Sequence, residues 1–315
     1  MDLLLNIEAF VRVAQTENFS EAARQLRVAP SVITARIKQL EEHVGQPLFH
    51  RTTRMVRLTE TGKTFVRECA DLVTRSQDLL DQMSDVGVNP KGVLRIHALT
   101  GFVLGRFASV LKEFQDLYPE LRIHLNVNDE VVDPVAAGVD CALQIFPPAS
   151  TELVSRPLFP VRRIFCATKD YLERHGAPRA PEELHQHKIG LYSRYPSRDR
   201  WTFHREDEQT TLSLQAAVLT NSVHVLREYA MEHTGIVCIP TFVAAPALLR
   251  GTLQPVLGDY VLTSFWFSAV YASTSRNAFR LRLFIDFISA QFKGDPAWDT
   301  ELIAKRIISD RLITE

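Results

Sequence analysis

Ser31, Thr34, Ala35 and Lys38 fall on one side of a helical pattern that opens at Pro30, with Arg36 beside them. Side chains of this kind hydrogen-bond; they do not make or break covalent bonds. They are small, polar or basic, as a helix requires if it is to sink into a groove about 12 Å wide and offer donors to base edges. Further on, "PLFHRTTRMVRLTETG" places Arg51, Thr52, Arg54 and Arg57 on a predicted short hairpin. Basic hairpin residues next to such a helix suit phosphate contacts, which add salt-dependent affinity without reading sequence. Features of an enzyme are missing: the sequence has no glycine-rich phosphate loop, no GxSxG and no paired acids in a cleft-like context. His185 and His187 stand two apart with no nearby cysteine or acid pair, so they read as surface histidines, and no metal or cofactor is expected.

The elements that must position these residues follow from the local pattern. "NFSEAARQL" predicts a short helix with Ser20 as its N-cap and Ala22, Ala23 and Leu26 facing inward. Pro30 then suits the first position of a second helix, where its missing N–H costs nothing. That helix runs to about Val44 and stops at Gly45, with Ile33, Ile37 and Leu40 at i, i+4 and i+7 as its buried stripe. Two helices joined by so tight a turn, the second facing outward, read as a helix-turn-helix; a plain pair of antiparallel helices with a solvated face is the alternative. Charge favours the first. From Arg24 to Arg67 there are nine Lys or Arg against three acids, a net of +6 on a chain whose total is −1. A basic module on an acidic body points to a polyanion partner for the module alone.

Beyond Thr59, an expected helix cap, Phe65, Cys69, Leu72, Ser76, Leu79, Met83 and Val86 repeat every 3.5 residues, the spacing of a coiled-coil seam. The helix is expected to pair with its copy through Phe65, Cys69, Leu72, Leu79 and Met83; packing on its own chain is the alternative. "VNPKG" reads as a hinge. After it, apolar strands alternate with helices in two series, which implies parallel sheets covered on both faces. "SFWFSAVYAS" and "AFRLRLFIDFISAQF" look like a return to finish the first series. The four cysteines show no CxxC spacing and read as buried reduced thiols. The N-terminal stretch fits neither a signal peptide nor a membrane span, so a cytoplasmic location without membrane contact is expected.

The residues Phe10, Phe19, "AARQL", "SVITARIKQLEEHVGQPLFHRTTR" and "LTETG" resemble the LysR-type transcriptional regulators. "FQDLYPELRIHL", "DPVAAGVDCALQI", "DYLERHGAPRAPEEL", "GIVCIP" and "RLFIDFI" extend the resemblance to about residue 293. It implies an α plus α/β fold: a winged helix-turn-helix over residues 1–62, a linker helix and hinge over 63–89, and a periplasmic-binding-protein-like effector domain over 90–293. Lobe I would take 90–161 and 266–293, lobe II 162–265; residues 294–315 lie beyond the shared pattern. Implied partners are double-stranded operator DNA, RNA polymerase, a small-molecule effector and further copies of the chain as dimer or tetramer. The sequence departs from the family at Ala29, where a serine is usual, at Ala35-Arg36, at Thr168-Lys169 and at Phe146, which implies a narrower cleft.

In an open sheet of this type the ligand crevice lies at the carboxyl ends of the strands, where helix starts offer N–H groups. Thr100-Gly101-Phe102 and Asn221-Ser222 are the two such starts. Facing each other they would hold a small polar ligand such as a carboxylate, with Thr100, Asn128 and Asn221 as hydrogen-bonding groups and Phe102, Phe146 and Tyr192 as walls. Each is equally readable as an ordinary cap or turn residue. The expected function is operator binding modulated by an effector. Constitutive DNA binding is the first alternative, and a small-molecule binding protein that only dimerises through its N-terminal region is the second.

Overall fold

The computed structural model describes residues 2–51, 56–84, 90–148, 150–196, 199–206 and 208–310. Three helices open the chain: α1 (Leu3–Thr16), α2 (Phe19–Leu26) and α3 (Pro30–Val44). The cap of α2 is Asn18 and not Ser20: the Ser20 and Glu21 N–H groups donate to Asn18 Oδ1 at 2.9 and 3.1 Å. Asparagine caps as well as serine, and it lets Phe19 begin the helix. Arg27, in the left-handed region at φ 55°, ends α2, and Pro30 starts α3 three residues on. Ile33, Ile37 and Leu40 are buried with Phe10, Val13, Ala22, Ala23, Leu48 and Phe49 in a core of their own. β1 (Phe49–Arg51) and β2 (Val56–Leu58) pair antiparallel beside it.

α4 (Glu60–Ser84) follows, capped by Thr59, whose Oγ1 accepts from the Gly62 N–H at 3.0 Å. Its first turns correct the expected seam. The Phe65 ring lies 5.8 Å from that of Phe10, and Cys69, 2% exposed, belongs to the same core. These two positions pack on the chain's own first domain, because the α1–α3 core needs a fourth helix to close it. Leu72, 48% exposed, is the first seam position that faces out. The side chains of Leu79 and Met83 lie outside the described residues.

Lobe I of the second domain begins with β3 (Gly92–Ala98) and α5 (Thr100–Phe102), which passes through a π-helical turn, Val103–Phe107, into α6 (Ala108–Leu117). β4 (Leu121–Val127), α7 (Pro134–Ala137), β5 (Cys141–Gln144) and the crossing strand β6 (Leu153–Val161) continue it. Lobe II holds β7 (Arg163–Ala167), α8 (Lys169–His175), β8 (Ile189–Tyr192), β9 (Arg200–Arg205), β10 (Glu208–Ser213) and β11 (Val218–Thr220). It continues through α9 (Val223–Met231), β12 (Ile236–Pro240), α10 (Thr241–Leu249), β13 (Gln254–Val256) and β14 (Val261–Leu262). The chain crosses back in β15 (Phe265–Ala272) and closes lobe I with α11 (Phe279–Gln291).

The two five-stranded sheets have the orders β4-β3-β5-β15-β6 and β11-β8-β12-β7-β13. Three strands of each run parallel, as the βαβ alternation implies, while β15, β6, β7 and β13 join by antiparallel pairing. β9, β10 and β14 form a separate small sheet.

Residues beyond the shared pattern pack on the crossing point. α12 (Ala297–Ala304) buries Trp298 against Phe159, Phe242 and Phe292, so one ring touches both lobes. Next to it Arg162 Nη1 donates to Asp299 Oδ2 at 2.9 Å and Nη2 to Asp295 Oδ1 at 2.7 Å.

Candidate nucleic-acid interface and effector cleft

The buried stripe of α3 fixes which side faces away. Pro30, Ser31, Thr34, Ala35 and Lys38 are exposed and Arg36 is half-buried. Thr34 Oγ1 donates to the Pro30 carbonyl at 3.2 Å, which leaves its lone pairs and methyl outward. Lys38 lies 3.7 Å from Glu42, but both side chains are mostly exposed, so solvent screens the pair and phosphate can replace it. Ala29 supplies no side-chain cap, and the positive end of α3 stays open to an anion. Arg57 on β2 is exposed. Thr52 and Arg54 lie outside the described residues, as does the side chain of Arg51.

The predicted effector residues separate into two groups. Phe102 is no cleft wall: it is 2% exposed, with its ring 4.5 Å from Phe267 and 5.1 Å from Phe107 in the core of lobe I. Asn128 is exposed, and its Oδ1 accepts from the Glu130 N–H at 2.8 Å, a turn contact within its own loop. Asn221 is exposed, while Ser222 caps α9 by accepting from the Val225 N–H. Thr100 and Gly101 do sit where the lobes meet. A Cβ on Gly101 would lie 2.7 Å from Val223 Cγ2, so the lobes touch there with no room for a side chain. Phe146 and Tyr192 belong to an aromatic wall with Tyr195 and Phe265, with ring centroids 4.9–6.4 Å apart.

Several residues at this junction carry no sequence motif. The Thr100 N–H donates to Asp129 Oδ1 at 3.0 Å, so the helix start already holds a carboxylate of its own chain. Arg194 Nη2, from lobe II, donates to Glu130 Oε1, from lobe I, and latches the cleft mouth. His224 lies beside the Thr100 backbone, its pKa lowered first by burial and then by Arg227. Burial, then Asp129, pushes the Tyr192 phenol up to about 12, so it stays a hydroxyl at neutral pH. The one faint signal was the "NDE" run after β4, where Asp129 and Glu130 stand one residue beyond the strand end.

Two family models match the chain: the bacterial regulatory helix-turn-helix protein of the lysR family over residues 4–63, and the LysR substrate binding domain over residues 88–293. The chain belongs to the LysR family. Among its curated relatives is the probable HTH-type transcriptional regulator LtrA of Klebsiella pneumoniae, 28% identical over 306 residues, 96% of this chain and 98% of LtrA. The HTH-type transcriptional regulator CrgA of Neisseria meningitidis is 30% identical over 283 residues, 90% of this chain and 94% of CrgA. The solved structure of CrgA superposes with a TM-score of 0.60, covering 92% of this chain and 99% of CrgA, at 29% identity. The full-length structure of the Vibrio cholerae virulence activator AphB gives a TM-score of 0.61 at 25% identity, with 92% and 99% covered. As a LysR-type transcriptional regulator, the chain binds DNA through its first domain and carries the family's substrate-binding domain behind it. Relatives that match along nearly their whole length are named regulators, so an enzymatic role is set aside. Among the described residues no helix is long and apolar enough to cross a membrane, and no His, Cys, Asp and Glu cluster could hold a metal.

Proposed function

We propose that this LysR-family regulator reads an operator with the exposed face of α3 and that a small molecule in the interlobe cleft alters that binding. The observation that carries the reading is the division of α3: Ile33, Ile37 and Leu40 hold the helix to its core at 0–1% exposure, while Ser31, Thr34, Ala35 and Lys38 face out together. Lys38, Arg57 and the wing arginines Arg51 and Arg54 contact phosphate, and Ser31 and Thr34 reach base edges. No metal or prosthetic group takes part. Duplex DNA as partner places the protein in the cytoplasm, and RNA polymerase is the partner through which bound regulator acts.

Two copies read two half-sites. Support comes from apolar residues left exposed on the edge strands: Val127 on β4 of lobe I is 41% exposed, and Leu219 on β11 of lobe II is 64% exposed. An isologous pairing sets one lobe's edge against the other's in a second copy, and Leu72 on α4 adds a further seam; two such dimers make a tetramer. The effector is a carboxylate that takes the place of Asp129 on the Thr100 N–H. Because it binds only when Glu130 and Arg194 part, it shifts the lobes by its differential affinity for the two arrangements.

Anisotropy titrations of a labelled duplex at several salt concentrations test the DNA contacts. Affinity should fall steeply with salt, and Lys38→Ala or Arg57→Ala should each reduce the slope by about one. If neither variant changes the slope, the assigned face is wrong.

A further inference from the structure

β3 and β4 are parallel neighbours, and strands of that kind are ordinarily apolar on both faces. One face obeys: Leu94, Ile96 and Leu121 are buried in the core of lobe I. The other does not. Arg95 stands opposite His124 in the register, with Asn126 two residues on, so the three share a side that is polar and basic. The first domain lies against that side. Gln15 of α1 sits so close to Gly138, at the end of α7, that a Cβ there would overlap its amide, and Val135 of α7 packs on the first domain's core. Between the two domains is a cavity of about 430 Å³, walled by Arg12, Gln15 and Gln25 from the first domain and by Arg95, His124 and Asn126 from lobe I.

Its charges do not balance. Glu21 accepts from Arg24 Nε and Nη2 at 2.9 and 2.8 Å, so that pair neutralises itself. Arg12 and Arg95 form no ion pair among the described residues. Arg12 Nη1 reaches Gln25 Oε1 only at 3.4 Å, and its Nε is buried with no partner. Burial first, and the charge of Arg95 second, lower the Arg12 pKa, so the two guanidiniums are near enough to repel each other. Glu8, one turn back on α1, offsets less than Arg95 adds, and Asp140 accepts the Arg95 backbone N–H at 2.6 Å. Like charges held together across a domain boundary cost free energy unless an anion lies between them. We infer that Arg12, Arg95 and His124 form a binding site for a small organic dianion, with the amides of Gln15, Gln25 and Asn126 hydrogen-bonding the rest of the molecule. Guanidinium forks suit phosphate and carboxylate alike, and a cavity of this size takes a ligand of metabolite size. The interlobe cleft is elsewhere, at Thr100 beyond the carboxyl end of β3. A dianion between α1 and the β3–β4 face therefore ties the DNA-binding domain to lobe I without entering that cleft.

Isothermal titration calorimetry of the full chain without DNA tests the site, with glycerol 3-phosphate and succinate as probes and sodium chloride holding ionic strength constant. At least one probe should bind saturably, one per chain. Arg12→Gln and Arg95→Gln each delete a charge-assisted donor and should weaken that binding about tenfold or more. His124→Ala, at an exposed position that folding does not need, should weaken it a few-fold and serves if either arginine variant fails to fold. Binding by glycerol 3-phosphate alone identifies a phosphate ester, by succinate alone a dicarboxylate, and by both a site for dianions in general. No saturable heat from either probe, or equal affinity in wild type and all three variants, overturns the inference. So does binding that Arg194→Ala abolishes while the Arg12 and Arg95 variants keep it, because the probe then sits in the interlobe cleft. Operator DNA plays no part in this measurement, so its failure leaves the DNA-binding reading intact.

Discussion

Asp299→Asn should loosen the effector domain while sparing the first domain. Asp299 is 0% exposed and Arg162 5%, and the pair meets at 2.9 Å. Removing one member of a buried ion pair costs about 3–5 kcal/mol, mainly because the other charge is left buried and unpaired. Asp295, 37% exposed, still holds the second guanidinium nitrogen, which lowers the expected loss to about 2–3 kcal/mol. For a domain of this size that corresponds to a drop in Tm of about 4–12 °C. The pH dependence has a definite sign. Burial raises the Asp299 carboxyl, against the opposing influence of nearby Thr241 and Arg162. Its contribution is therefore fullest below the ordinary carboxylate range and declines as pH climbs through the raised value; the asparagine removes that slope. Scanning calorimetry of the full chain across pH checks both effects. An effector-domain transition within a degree of wild type, or a loss confined to the helix-turn-helix transition, would refute the view that α12 straps the lobe junction.

Gly101→Ala places a methyl group 2.7 Å from Val223 Cγ2, an overpacking of about 1–3 kcal/mol that separating the lobes relieves. Amide hydrogen exchange should accelerate at the start of α9 and stay unchanged in α3; unaltered exchange at α9 would mean that the lobes do not open there. His97, 2% exposed, donates from Nε2 to the Glu130 carbonyl at 3.1 Å, and burial holds its pKa below the ordinary value. The neutral ring is the folded form, so its contribution is complete above about pH 6.5 and is lost as acid titrates the lowered pKa. Denaturant melts should show stability falling with acid in wild type and a shallower fall in His97→Gln; parallel curves would exclude His97 as a source.

Local chemistry made the DNA-binding half readable. The α3 stripe, its proline start and its glycine stop all lie within sixteen residues, and periodicity alone assigns its two faces. The linker misled because three turns of helix scarcely separate a 3.5-residue seam from a 3.6-residue face: Phe65 and Cys69 serve the chain's own core, whereas Leu72 faces out. The cleft was legible as a place but not in its composition. Thr100 and Gly101 were marked by the strand-to-helix change, whereas Phe102 turns into the lobe because the helix start rotates it toward Phe267. Asp129 and Arg194 acquire meaning only from partners brought by the fold. Arg162 and Asp299, 137 residues apart, show why the C-terminal segment had no readable destination.

Selection of sites from a random duplex pool, carried out with wild type and with Thr34→Ala, tests most directly whether the outward side of α3 reads DNA. The expected result is an enriched site of two related, inverted half-sites about one helical turn apart, in which Thr34→Ala relaxes preference at one position per half-site while the salt dependence stays the same. A pool that enriches no duplex, or one that yields identical sites with both proteins, would contradict it.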